Sequence, residues 1–209
     1  MLAAVAAANA HDPITTKLTW TQEISRIFYR RCLTCHREGG AAPMPLATYE
    51  QARPWAKAIR DEVLERRMPP WGAVKGFGEF RNDPSLSEPE IDSLVHWVEG
   101  GVPEGNPVYL PDLPPAAPES NPQPNSGELE LPLLLRADVE ALSIRATGPV
   151  EVIAHAPGGA ARHLIWVREL AEPRVYEFRR ALRLTKGTRI EVFASRGARA
   201  FISARKPAR

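Results

Sequence analysis

No window of the 209-residue chain approaches the roughly 18–20 uninterrupted apolar residues that a membrane-spanning helix needs. Cysteine is almost missing, with two residues in all. A disulfide or thioredoxin-like Cys-x-x-Cys would sit at the strand-to-helix junction of a βαβ unit, and the sequence offers none. A zinc site needs four ligands, and no second Cys or His pair stands at ligand spacing. Methionine is as scarce, at three residues, none of them in 128–209. No internal repeat is evident. With 44% hydrophobic and 25% charged residues, the composition is that of an ordinary soluble globular protein.

Proline is in excess, at 21 residues, and unevenly spread. Charge is uneven too. Residues 1–127 carry 12 Lys+Arg against 16 Asp+Glu, a balance of −4, and residues 128–209 carry 15 against 9, a balance of +6. An acidic half and a basic half indicate two modules with different surfaces. At the start, Ala8-Asn9-Ala10 has the small-x-small form of a signal-peptidase site after a short apolar run, without a basic segment before it. Residues 1–18 therefore read as the remnant of an export signal or a plain N-terminal tail, and an extracytoplasmic, periplasmic location is expected.

Three helices are predicted next. Thr19-x-x-Gln22 has the form of a capping box, followed by a face of Trp20, Ile24, Ile27 and Phe28. Thr48-x-x-Gln51 opens a second helix, restarted at Pro54, with Trp55, Ile59 and Val63 repeating every four residues until Met68-Pro69-Pro70 stops it. Ser87 caps a third, with Glu90 at N3 and Ile91, Leu94, Val95 and Val98 as the buried stripe, ended by Gly100-Gly101. Eight prolines between 103 and 124 mark a semi-rigid linker. The period then switches to two, and strands are predicted near 128–137, 141–146, 149–156, 162–170, 175–184, 188–195 and 198–206. The expected architecture is α then β: a helical domain over 19–106, a Pro-rich linker over 107–127 and a β-sandwich over 128–209.

The two cysteines stand in Arg31-Cys32-Leu33-Thr34-Cys35-His36. Haem attachment needs two thiols for the two vinyl groups and an imidazole beside the second thiol for the iron, and Cys-x-x-Cys-His supplies both. One covalent haem c on Cys32 and Cys35, with His36 as iron ligand, is the expectation. For the sixth ligand, Met44 lies only eight residues past His36, whereas Met68 lies 32 residues on, at a helix stop with room to reach the other face. His96, mid-helix, reads as a surface or packing residue.

The order helix, Cys-x-x-Cys-His, helix, Met-bearing loop, helix over residues 19–101 resembles class I mono-haem cytochromes c. The run Cys35-His36-Arg37-Glu38-Gly39-Gly40-Ala41-Ala42-Pro43-Met44-Pro45, with Arg53-Pro54-Trp55, Arg67-Met68-Pro69-Pro70-Trp71 and Phe77-Gly78-Glu79-Phe80, is similar to the cytochrome domain of bacterial chains of the copper type II, ascorbate-dependent-monooxygenase kind. That resemblance implies Met68 as the distal ligand. It also implies that a carbonyl at Pro43, or second at Pro45, holds the other imidazole nitrogen, and that Trp55 and Trp71 wall the pocket. Residues 150–159, 163–168 and 184–189 are weakly similar to the C-terminal sandwich of the same chains. A two-copper centre needs more ligands than His155 and His163, so residues 128–206 are read as a non-catalytic sandwich that docks or scaffolds. Arg179, Arg180, Arg183, Arg189, Arg196, Arg199 and Arg205 are candidates for a surface facing an acidic partner or anionic lipid.

The function expected is single-electron transfer by a non-enzymatic haem protein, docked to or part of a membrane electron-transfer complex such as a respiratory enzyme or photosynthetic reaction centre. Redox proteins are its expected partners, and nucleic acid is not. An alternative is a haem domain feeding electrons to a copper monooxygenase-like enzyme, and a further one is a haem ligand sensor or peroxidase.

Overall fold

A computed structural model describes residues 17–115 and 127–207. The N-terminal tail or signal remnant and the core of the proline linker, both read from sequence, lie largely outside the described residues. The chain divides into two compact units. Among the described residues, the first holds 17–69 and 85–115, and the second holds 70–84 and 127–207. The order helices then two antiparallel four-stranded sheets follows the expected α-then-β plan. The boundary does not: residues 70–84 were read as part of the helical domain, yet they are built into the β unit.

Unit 1 starts with a wide π-type turn over Trp20–Ile24 that runs into α1, Ser25–Arg31. The expected Thr19–Gln22 capping box is not formed. Glu23 reaches back instead, accepting from the Thr19 amide at 2.9 Å, and the amides of Trp20 and Thr21 donate to the carbonyls of Pro103 and Glu104. The orphan donors of this helix start are thus met by the proline-rich segment, which docks here by its first residues.

Helix α2 (Tyr49–Ala52) does carry its capping box, between Thr48 and Gln51, and Pro54 sits in the 3₁₀ turn Arg53–Trp55 that leads into α3, Ala56–Leu64. The buried stripe is rotated from expectation. Ala52, Ala56 and Val63 face the core while Trp55 is 44% exposed. Helix α4 spans Glu88–Glu99 and buries Ile91, Leu94, Trp97 and Val98. Trp97 is fully buried, its ring lies 6.0 Å from Trp20 and 6.4 Å from Phe28, and its indole N–H donates to the Pro103 carbonyl at 3.0 Å.

One carboxylate ties α1 to α4. Glu90 accepts from Nε and Nη2 of Arg31, each at 3.1 Å, and from the Ser87 amide at 2.8 Å. Burial alone would push this carboxyl up, but the Arg31 guanidinium and the Ser87 amide and hydroxyl outweigh it and hold Glu90 down to about 2. A depressed carboxyl stabilises the fold above its ordinary value, and that stability fades as pH falls from the usual glutamate range towards 2. Glu90→Gln is therefore expected to cost about 1–2 kcal/mol at neutral pH, discounted because Arg31 is partly exposed. Denaturant melts of wild type and variant should converge near pH 2; a difference that persists unchanged there would place the effect elsewhere.

The strands of unit 2 are β1 Leu129–Glu130, β2 Leu133–Leu134, β3 Val139–Ala146, β4 Val150–His155, β5 Ala161–Val167, β6 Arg174–Leu184, β7 Arg189–Ala194 and β8 Ala200–Arg205. They form a pair of sheets ordered β1-β8-β3-β6 and β2-β7-β4-β5. The predicted first strand is split at Leu131-Pro132, where the chain leaves one sheet for the other. Apolar residues alternate inward on both sheets, among them Ile144, Val152, Ile165, Ile190 and Ile202, all nearly solvent-free.

Residues 70–84 strap the open edges of both sheets. Ala73 bridges Val167 on edge strand β5, and Phe80 bridges Phe178 on edge strand β6. Val74 N donates to Trp166 O at 2.8 Å and Arg168 N to Gly72 O at 3.0 Å; on the other side Arg81 N donates to Glu177 O at 2.9 Å. Asn82 doubles the second contact, donating to Val175 O at 2.8 Å and accepting from Glu177 N at 3.0 Å. Such coverage satisfies edge backbone groups that would otherwise invite association. Gly78 has φ +91°, and a Cβ there would come within 2.4 Å of Leu164 O, so neither the backbone nor the space admits a side chain.

Candidate functional site

Helix α1 delivers the cysteine–histidine segment, and its hydrogen-bonded turn continues past the helix end. Cys32 N donates to Phe28 O at 2.8 Å, then Cys35 N and His36 N both donate to Cys32 O, at 3.1 and 2.8 Å. Cys32, Cys35 and His36 thus share one hydrogen-bonded turn of backbone. Cys32 and Cys35 are free and half-buried, and Cys32 packs against the unit 1 core.

The following loop closes back on His36. Ala42 N donates to Cys35 O at 3.2 Å and Leu46 N to His36 O at 2.9 Å. The imidazole Nδ1 lies 3.1 Å from the carbonyl oxygen of Met44. An acceptor there fixes Nδ1 as the protonated nitrogen and makes Nε2 the one available to a metal. Pro43 was the expected acceptor and Pro45 the second. The structure gives the part to the residue between them, a backbone role that leaves no side-chain signal in the sequence. Gly40 permits the closure, since a Cβ there would meet Cys35 O at 2.2 Å.

Burial pushes the Cys32 thiol up to about 12, reinforced by the charges of Cys35 and Glu90 and opposed by Arg31. A thiol so disposed stays protonated near neutrality, unlike the low-pKa cysteines of redox catalysts. Among the described residues no group of three or more His, Cys, Asp or Glu side chains is placed to hold a metal ion.

Met68 lies four residues past the end of α3 at Leu64. Arg66 turns the chain with φ +56°, and the amides of Arg67 and Met68 both donate to Glu62 O, at 2.9 and 3.2 Å. The Met68 side chain is 41% exposed, free of core packing and followed by Pro69. Met44 instead packs against the unit 1 core. Trp55, expected to wall a pocket, is likewise exposed in unit 1. Trp71 takes a different place from the one expected. It is 6% exposed within the core of unit 2, its ring 4.7 Å from Tyr176, whose hydroxyl donates to Trp71 O at 2.8 Å. The glycines at 72 and 78 were the available signal that this stretch packs closely against other backbone, the carbonyls of Glu169 and Leu164.

In unit 2, His155 and His163 are each turned to a different glutamate, at 2.9 Å from Glu191 and 3.0 Å from Glu151. Of the basic residues singled out, Arg189 pairs with Glu191, Arg199 with Glu130, and Arg183 and Arg205 with buried Glu140. Arg179, Arg180 and Arg196 are exposed. No helix among the described residues is long and apolar enough to cross a membrane.

Comparison with protein-family models, with curated proteins and with solved structures returns no match to this chain.

Proposed function

We propose that the protein is a c-type cytochrome, carrying single electrons through one haem attached at Cys32 and Cys35. The observation that carries this reading is the grip of the Met44 carbonyl on His36 Nδ1, beside two free thiols on the same turn. The donor set suits the group: two free thiols for the vinyl carbons, and an imidazole whose Nε2 is left available for iron. The helix order of unit 1, with its first helix pinned to its last by Arg31–Glu90, agrees with a class I cytochrome fold. When bound, the haem supplies reversible one-electron exchange at iron. The chain's own residues would anchor it through the cysteines, the Met44 carbonyl orients the imidazole, and Met68 would be the second side chain to hold the iron. Such a His/Met pair favours the reduced state and a comparatively high potential.

Unit 2 is read as the part that docks the protein to a larger redox assembly at a membrane, outside the cytoplasm. The exposed Arg179, Arg180 and Arg196 suit an acidic partner surface, whose attraction is screened over about 8 Å at physiological ionic strength.

The deciding experiment is chemical. Protein matured in cells that attach haem c should keep its haem on the polypeptide through acid-acetone extraction and denaturing electrophoresis. Cys32→Ala with Cys35→Ala should release all of it. Haem freely extracted from the wild type would end the cytochrome reading.

A further inference from the structure

The outer face of the β2-β7-β4-β5 sheet carries a groove of about 390 Å³, a volume within the range of small-ligand sites. Its walls and floor follow from the register. Glu151 on β4 is paired with Trp166 on β5 at one side and with Phe193 on β7 at the other. The three side chains form one row across the sheet, an aromatic at each end and a carboxylate between. Arg168, Pro149 and Ser195 complete the lining.

Two of these groups are held in place before any ligand arrives. The edge of Phe77 meets Trp166 with ring centroids 5.0 Å apart and planes at 80°. His163 Nδ1 lies 3.0 Å from Glu151 Oε1. Phe193 by contrast is 57% exposed, a large apolar ring turned to solvent near the end of β7. Arg168 is exposed and has no ion-pair partner among the described residues.

We propose that this groove binds a neutral saccharide, the sugar rings lying against Trp166 and Phe193. A pyranose offers an apolar C–H face to an aromatic ring and a rim of hydroxyls to polar groups. Glu151 accepts from such hydroxyls, Arg168 donates, and Ser195 does either. The charges exclude the other occupants of an aromatic slot. An organic cation would face the Arg168 guanidinium and a carboxylate already partnered by His163. An anion would face Glu151 in the floor. A hydroxyl-rich neutral ligand meets both signs without cost, and the braced Trp166 and Glu151 reduce the ordering needed on binding. This site is independent of the haem reading and would survive its failure.

The test is retention of the full-length protein on a panel of neutral polysaccharides: cellulose, chitin, xylan, mannan and starch. Titration with soluble oligomers of whichever one retains it, followed by tryptophan fluorescence, gives the affinity. Phe193→Ala removes an exposed ring and should leave the fold intact, as circular dichroism would verify. It should weaken binding at least about tenfold, equivalent to the loss of one good contact, and Arg168→Ala should weaken it several-fold. Two outcomes overturn the proposal: no retention by any member of the panel, or Phe193→Ala binding as tightly as wild type. If the protein fails to bind saccharide and instead sediments as a dimer that Phe193→Ala makes monomeric, the groove serves a second copy and the proposal is likewise wrong.

Discussion

Met68→Ala is expected to abolish the weak far-red sulfur-to-iron band of the ferric protein and to lower its midpoint potential by on the order of 100 mV or more, within the roughly 0.8 V that axial ligands command. Little stability should be lost, because the side chain is 41% exposed and lies outside the unit 1 core. Met44→Ala should do the opposite. It keeps the band, because the backbone carbonyl that grips His36 Nδ1 survives the substitution, and it costs about 1–2 kcal/mol through lost packing against the unit 1 core. The geometry supports this division. The Met44 carbonyl is committed to His36 Nδ1 and its side chain packs against the unit 1 core, so Met68 is the methionine that would be free to hold the iron. The reverse pattern in the two spectra would assign the ligand to Met44.

Trp71→Ala should reduce the stability of unit 2 by about 3–5 kcal/mol, the range for deleting a large buried aromatic. The ring is 6% exposed, packs edge-on against Phe80 and Tyr176 at 6.0 and 4.7 Å, and its carbonyl accepts the buried Tyr176 hydroxyl. Burial pushes that phenol's pKa up, in keeping with its role as donor to Trp71 O. Chemical unfolding followed by circular dichroism in the β region measures the loss. Unchanged stability together with an altered haem spectrum would return Trp71 to the pocket role that the sequence suggested for it.

Local patterns in the sequence were legible where their chemistry was local. The capping boxes at Thr48 and Ser87 need only residues three apart, and the strands over 139–205 follow a period of two that any half-buried sheet imposes. What failed was long-range. Thr19 has the residues for a capping box, but Glu23 and the carbonyls of Pro103 and Glu104 took its place, and nothing local announces a partner more than eighty positions away. The Trp55 stripe misled because two alanines, Ala52 and Ala56, give a closer fit to the core than a tryptophan. At the candidate site, the residue types carrying Cys32, Cys35 and His36 were plain. The acceptor on His36 was missed by one position because a carbonyl belongs to every residue alike. Residues 70–84 were assigned to the wrong unit because they follow Met68 without a break in composition.

The strap at 70–84 gives the chain an interlaced connectivity. The polypeptide passes from unit 1 to unit 2 after Pro69, returns before Ser85, and passes again through the proline segment. A protease nick between 116 and 126 would therefore sever one of three crossings and release nothing. The two fragments should co-elute in native buffer and part only in denaturant, because the amino-terminal piece carries Trp71 and Phe80 and the carboxy-terminal piece supplies the rest of the hydrophobic core around them. For the same reason neither half can be produced by truncation at the linker. A chain ending there would display two bare aromatic rings, and one beginning there would fold around a slot. An autonomous β unit would need residues 70–84 supplied in trans, as a peptide, or grafted onto its own amino terminus.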